Sequence, residues 1–137
     1  MEAVKTTFAP MLIIKDGVAA VEFYKKAFGA IEVIRFSNPD GTIHVAELSL
    51  DGAMFHIRQE TIDRGDFDPG TINGKTILLE LVVEDPHAVQ ARAVAAGGKE
   101  MQPVTDYEHG MRQGQVKDPF GHVWLIEKKL IDHSKNK

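Results

Sequence analysis

Short apolar runs alternate with capping and turn residues along this chain, and the same order of runs and punctuation appears twice. Phe8 to Ile14 is short, mostly apolar and partly β-branched, which predicts a buried strand. Asp16 is placed to cap a helix over Gly17 to Phe28, with Val18, Val21, Tyr24 and Phe28 as its apolar stripe and Gly29 closing it. Ile31 to Ser37 alternates and predicts a second strand. The turn Asn38-Pro39-Asp40-Gly41 leads to a third strand over Thr42 to Leu50. Asp51-Gly52 is a two-residue hairpin signal, and Ala53 to Arg58 is the fourth strand.

The second half follows the same plan. Lys75 to Val83 predicts a strand, Asp85-Pro86 starts an alanine-rich helix that runs through Ala96, and Gly97-Gly98 ends it. Strands are predicted near Lys99 to Val104, Met111 to Lys117 and His122 to Lys128, with Asp118-Pro119-Phe120-Gly121 as the last turn. The match is numerical. Asp16, Gly29, Gly41 and Gly52 recur 69 residues later as Asp85, Gly98, Gly110 and Gly121. Repeated punctuation means repeated element order. The chain therefore reads as one domain of two modules, about 8–58 and 75–128, with a connection over 59–74 and a tail from 129. The end of that tail, Asp132 to Lys137, is polar and expected to fray.

One helix covers one face of each four-stranded sheet, so the other face must meet something else. The fold class expected is α+β: two βαβββ modules forming an open, curved barrel of sheet, helices outside, with a central cavity. The Asp51-Gly52 turn sets Leu50 opposite Ala53 and Glu47 opposite His56. Ala46, Leu48, Leu50, Phe55 and Ile57 then share an apolar face suited to the helix, while Val45, Glu47, Ser49, Met54, His56 and Arg58 face the cavity. Carrying that pattern forward by 69 points Arg112, Val116, Val123, Leu125 and Glu127 inward, and Trp124 and Ile126 onto the helix. On the first strands Ala9, Met11 and Ile13, and their mates Leu78 and Glu80, face inward.

Composition narrows the function classes. A net charge of −4 gives no basic footprint, so nucleic acid is not an expected partner. The absence of cysteine excludes disulfides and thiolate-bound metal and fits a reducing, cytoplasmic setting. No apolar run approaches the roughly 20 residues of a membrane span, so no membrane partner is expected.

The strand-helix-three-strand modules resemble the vicinal oxygen chelate superfamily, the glyoxalase, bleomycin-resistance and extradiol dioxygenase group. So do the run Ile14-Lys15-Asp16 leading to Glu22-Phe23-Tyr24 and Phe28-Gly29, and the closing Asp118-Pro119-Phe120-Gly121-His122. Together with Ile43-His44-Val45-Ala46-Glu47-Leu48, that ending is most similar to the PhnB-like branch, and the resemblance spans about residues 8–128. It implies four inward ligand positions in metal-dependent members, which fall here on Ala9, Leu78, His56 and Leu125. Methyl and isobutyl groups carry no lone pair, and divalent sites need three or more donors. No metal or other cofactor is therefore expected at that place. A shifted site built from Glu80, Glu127, Glu47 and His56 is a disfavoured alternative.

Two functions stay open. The favoured one is a small-molecule-binding protein that captures a small, partly apolar ligand without metal. Its candidate contacts are His56, Glu47, Arg58, Glu80, Arg112, Glu127, Met11 and Met54, and the inward carboxylates would admit a cation. The alternative is a lyase, isomerase or dioxygenase-like enzyme acting on a small oxygenated substrate, through the shifted divalent-metal site or with His56 as base. No catalytic residue is assigned. Trp124 and His44 are expected to be structural, and Asp118 to His122 to be a turn. The resemblance also implies a homodimer.

Overall fold

A computed structural model describes residues 2–131. Module one runs β1 (Met11–Ile14), α1 (Gly17–Phe28), β2 (Ile31–Ser37), β3 (Ile43–Leu50) and β4 (Ala53–Gln59). Module two runs β5 (Leu79–Val82), α3 (Pro86–Ala95), β6 (Lys99–Asp106), β7 (Met111–Lys117) and β8 (Val123–Lys129). Each module is a four-stranded open sheet, ordered β1-β4-β3-β2 and β5-β8-β7-β6. The α+β class, the two-module repeat and its element order are as the sequence predicts. Both first strands are shorter than predicted, and β8 takes in the first residue assigned to the tail. The predicted fraying of Asp132 to Lys137 lies outside the described residues.

Local chemistry accounts for the element ends. Asp16 and Asp85 each accept a hydrogen bond at 3.1 Å from the backbone N–H three residues on, Ala19 and Ala88, as helix N-caps do. Asp51 and Gly52 both take positive φ, 54° and 92°, the geometry of a type I′ hairpin turn. The buried stripe of α1 is Gly17, Ala20, Val21, Phe23, Tyr24 and Ala27, so it lies one residue around from the predicted one and leaves Val18 exposed.

The modules share one core. Leu12, Ile14, Leu48 and Ile57 of sheet one and Leu79, Val116, Trp124 and Ile126 of sheet two join a single buried cluster with α1 and α3. The helices also touch each other, and Arg92 on α3 donates to the Lys26 carbonyl at the C-terminus of α1 (2.7 Å). Trp124 faces the core as predicted, but its ring neighbours belong to module one: Phe28 at 4.9 Å and Tyr24 and Phe55 at 5.5 Å.

The connection over 59–74 is folded. It holds a 3-10 turn (Ile62–Arg64) and the one-turn helix α2 (Pro69–Ile72). Buried Asp68 accepts from Lys15 N (3.1 Å) and Gly70 N (2.6 Å), while Glu60 accepts from Asp68 N (3.0 Å) and Thr71 Oγ1 (2.8 Å). Pro69 packs on Gly121, whose φ of 98° and lack of a Cβ permit the approach.

Candidate functional site

Three strand pairings set the walls of the site. In β3–β4, Glu47 pairs with His56, as the hairpin predicts, and His56 Nε2 lies 3.5 Å from Glu47 Oε1. In β1–β4, Met11 lies beside His56. The 69-residue offset holds for β5 and β8, where Glu80 lies beside Leu125. Met11, Met54, His56, Glu47 and Arg58 thus share the face of sheet one turned from its helix. Glu80 and Glu127 share the corresponding face of sheet two.

Arg112 does not belong to this set. Lys117 and Val123 are paired and enclose residues 118–122, whereas Leu50 and Ala53 enclose residues 51–52. That odd difference puts β7 one residue out of step with the repeat, and a one-residue slip exchanges the faces of a strand. Gln115 pairs with Leu125 and Gln113 with Glu127, so glutamines, and not Arg112 and Val116, stand on the inner face of this strand. Val116 is fully buried in the core with Trp124 and Ile126. Arg112 lies on that same helix-side face at the strand end, in a two-bond pair with Asp106 (2.7 and 3.1 Å). This guanidinium holds the Asp106 carboxyl below its usual range. Arg58 stays on the inward face, and its Nε lies 3.5 Å from Asp66 in the folded connection. His44 is exposed.

Glu127 is nearly buried, 6% exposed, at the far end of β8. Burial and the adjacent Glu80 carboxyl together raise its pKa above the ordinary carboxyl value. Glu127 therefore holds a proton to higher pH than a free carboxyl does, and can donate it to Glu80. Among the described residues no three His, Asp or Glu side chains converge on a common point within the chain.

Between the modules lies a cleft of about 570 Å³. Met11 and Met54 line it from module one, Leu78, Glu80 and Leu81 from module two, with Phe55 and Trp124 where it reaches the core and Phe8 at its edge. Glu80 is the single ionisable residue of this lining. Three of the predicted contacts, Met11, Met54 and Glu80, are thus brought together. His56 lies beside Met11 on the neighbouring strand, and it, Glu47, Arg58 and Glu127 share these sheet faces without lining the cleft.

The sequence reading missed the polar centre of the molecule. Asp118 is buried and accepts four hydrogen bonds: Tyr24 Oη (2.5 Å), Trp124 Nε1 (3.0 Å), Phe120 N (2.9 Å) and His122 N (3.0 Å). His122 Nε2 in turn lies 3.0 Å from the Ile13 carbonyl oxygen. The closing turn is therefore also the joint between modules, 94 residues from Tyr24. Burial and the Asp118 charge push the Tyr24 hydroxyl well above its usual pKa. A signal existed. Tyr24 and Trp124 each bring a polar tip into an apolar stripe, and such tips need an acceptor when buried.

Comparison with known proteins agrees with this architecture. The profile of the Glyoxalase/Bleomycin resistance protein/Dioxygenase superfamily matches residues 7–126. An uncharacterized protein of Arabidopsis thaliana is 34% identical over 143 residues, covering 96% of this chain and 85% of its own length. An uncharacterized protein of Mycobacterium tuberculosis (strain H37Rv) is 32% identical over 126 residues, covering 90% of this chain and 74% of its own. Among solved structures, TioX from Micromonospora sp. ML1 superposes with a TM-score of 0.71 at 26% identity, covering 92% of this chain and all of the other.

Proposed function

The chain belongs to the Glyoxalase/Bleomycin resistance protein/Dioxygenase superfamily, and from that membership we propose that it is a small-molecule-binding protein of the PhnB-like branch, capturing its ligand without a metal. The cleft between the modules carries this reading. Its volume of about 570 Å³ falls within the roughly 300–1,000 Å³ of small-molecule sites, and a mostly apolar lining with few polar groups is their usual chemistry. Met11 and Met54 suit a pocket that adapts to its occupant, because the thioether side chain is unbranched and polarisable.

Metal independence rests on residue identity. The resemblance puts Ala9, Leu78 and Leu125 at three of the four ligand positions of metal-dependent members, and none of the three offers a donor. The ending Asp118-Pro119-Phe120-Gly121-His122 supports the PhnB-like branch, and a chain without cysteine suits the cytoplasm. No described helix is long and apolar enough to cross a membrane.

A second reading, an enzyme acting on a small oxygenated substrate, draws on Glu127. Glu127 and Glu80 share the inner face of sheet two, and with Glu47 and His56 they are the groups a shifted divalent-metal site would use. Calorimetric titration with Zn, Mn, Ni and Fe(II) separates the two readings where a metal is involved. The binding reading expects no stoichiometric uptake at micromolar metal. Tight one-to-one uptake that disappears in Glu127→Ala would overturn it.

A further inference from the structure

At the joint between the modules a small hollow of about 180 Å³ shares no lining residue with the cleft. Three stretches of chain enclose it: the folded connection and its exit (Gly70, Asn73 and Lys75), the end of β7 (Lys117), and the closing turn (Gly121). Its ionisable residues are Lys75 and Lys117, two cations and no carboxylate, in a chain whose net charge is −4. Among the described residues neither lysine takes part in an ion pair.

The carboxylates nearest to these lysines are already engaged. Gly70 and Lys117 also border an adjoining hollow that holds Asp16, Asp68 and Asp118. Asp16 caps α1 through the Ala19 N–H, and Asp68 accepts from the Lys15 and Gly70 N–H groups. Asp118 accepts its four bonds from Tyr24, Trp124, Phe120 and His122. Asp68 and Asp118 are also buried, so neither can turn to a lysine without giving up these donors. From module one Lys15 adds a third ammonium group, its Nζ 4.0 Å from where a side chain on Gly70 would begin.

Cations gathered without a counter-charge favour an anion between them. Lysine binds phosphate as a point charge, and a phosphate group with a second pKa of about 6 is mostly dianionic at neutral pH. The Asn73 amide adds a neutral N–H donor to the wall. At about 180 Å³ the hollow is smaller than the roughly 300–1,000 Å³ of drug-sized sites, so it suits a phosphate group with little attached.

We propose that this hollow is a second binding site, for a phosphate group, free or on a small monoester, held by Lys75 and Lys117 with Asn73 as neutral donor. The bound group touches the connection and module two together, with Lys15 of module one alongside, and so steadies the joint.

Amide NMR and thermal melts of the full chain test this, with inorganic phosphate raised to about 50 mM against chloride at constant ionic strength. Saturable shifts are expected at the Gly70, Lys75 and Gly121 amides. Phosphate at about ten times its dissociation constant is expected to raise the melting temperature by about 4–6 °C. Both lysines are exposed, so Lys75→Gln and Lys117→Gln leave the core intact. Each is expected to weaken phosphate at least tenfold, and the double variant to lose the shifts and the stabilisation. Lys129→Gln, at the far end of β8, is expected to behave as wild type. Glycerol 3-phosphate binding more tightly than inorganic phosphate assigns the site to a monoester and the reverse order to the free ion, and either supports the site. An absence of saturable shifts, binding that survives in the double variant, or an equal loss in Lys129→Gln would each overturn the proposal.

Discussion

Replacing Tyr24 by Phe removes one hydroxyl from the joint between the modules and leaves the ring packing in place. The hydroxyl is fully buried, and its acceptor Asp118 is 3% exposed. At 2.5 Å it is the shortest of four bonds to that carboxylate. A hydrogen bond to a charged group contributes about 1.5–3 kcal/mol, and Asp118 keeps three donors after the change, so we expect a loss of about 2 kcal/mol. In urea the midpoint should fall with the slope unchanged, because the surface exposed on unfolding is the same. For a chain of this length, that loss corresponds to a melting temperature lower by about 6–8 °C. The effect also has a sign in pH. The folded-state pKa of Tyr24 is raised, so its contribution is complete below the unfolded tyrosine value near 10 and declines as pH rises through the folded value. The gap between wild type and Tyr24→Phe should therefore narrow in strongly alkaline buffer. A variant within about 0.5 kcal/mol of wild type at neutral pH would refute the idea that Asp118 and Tyr24 hold the modules together.

Two further perturbations test the strand faces. Phe55→Ala removes a buried core ring and should cost about 3–5 kcal/mol, whereas His56→Ala, on the half-exposed face beside Met11, should change stability by less than about 1 kcal/mol. Urea denaturation giving the reverse order would mean that β4 is turned over. Glu127 has a raised folded-state pKa, so its favourable contribution is present below the ordinary carboxyl value and is lost as pH rises through the raised one. Glu127→Gln should consequently gain stability relative to wild type between about pH 4 and pH 7. An equal stability difference at both pH values would show that the Glu80–Glu127 contact does not form.

Local patterns were legible where one signal decides one element. Asp16 and Asp85 announced both helix starts, and Asp51-Gly52 gave the β3–β4 register that places His56 opposite Glu47. The repeat failed where it was extended past an unequal turn. Residues 118–122 replace the two-residue turn 51–52, and that parity change moved Arg112 and Val116 to the other face. Asp66 as the partner of Arg58 could not be read, because the contact depends on how the connection folds back. The Tyr24–Asp118 bond spans 94 residues and follows from the docking of the modules, which no local pattern encodes.

The central claim, ligand capture in the cleft between the modules, is tested most directly by amide NMR. N-phenyl-1-naphthylamine, a neutral apolar probe, is titrated into the ¹⁵N-labelled chain. The chain has a single tryptophan, so the one indole N–H signal reports on Trp124 at the inner end of the cleft. Saturable shifts are expected at that indole and at Met11, Met54, Leu78 and Glu80, and are expected to vanish in Met54→Arg, whose longer charged side chain occupies the cleft. An absence of saturable shifts, or shifts at those positions that persist unchanged in Met54→Arg, would contradict the claim.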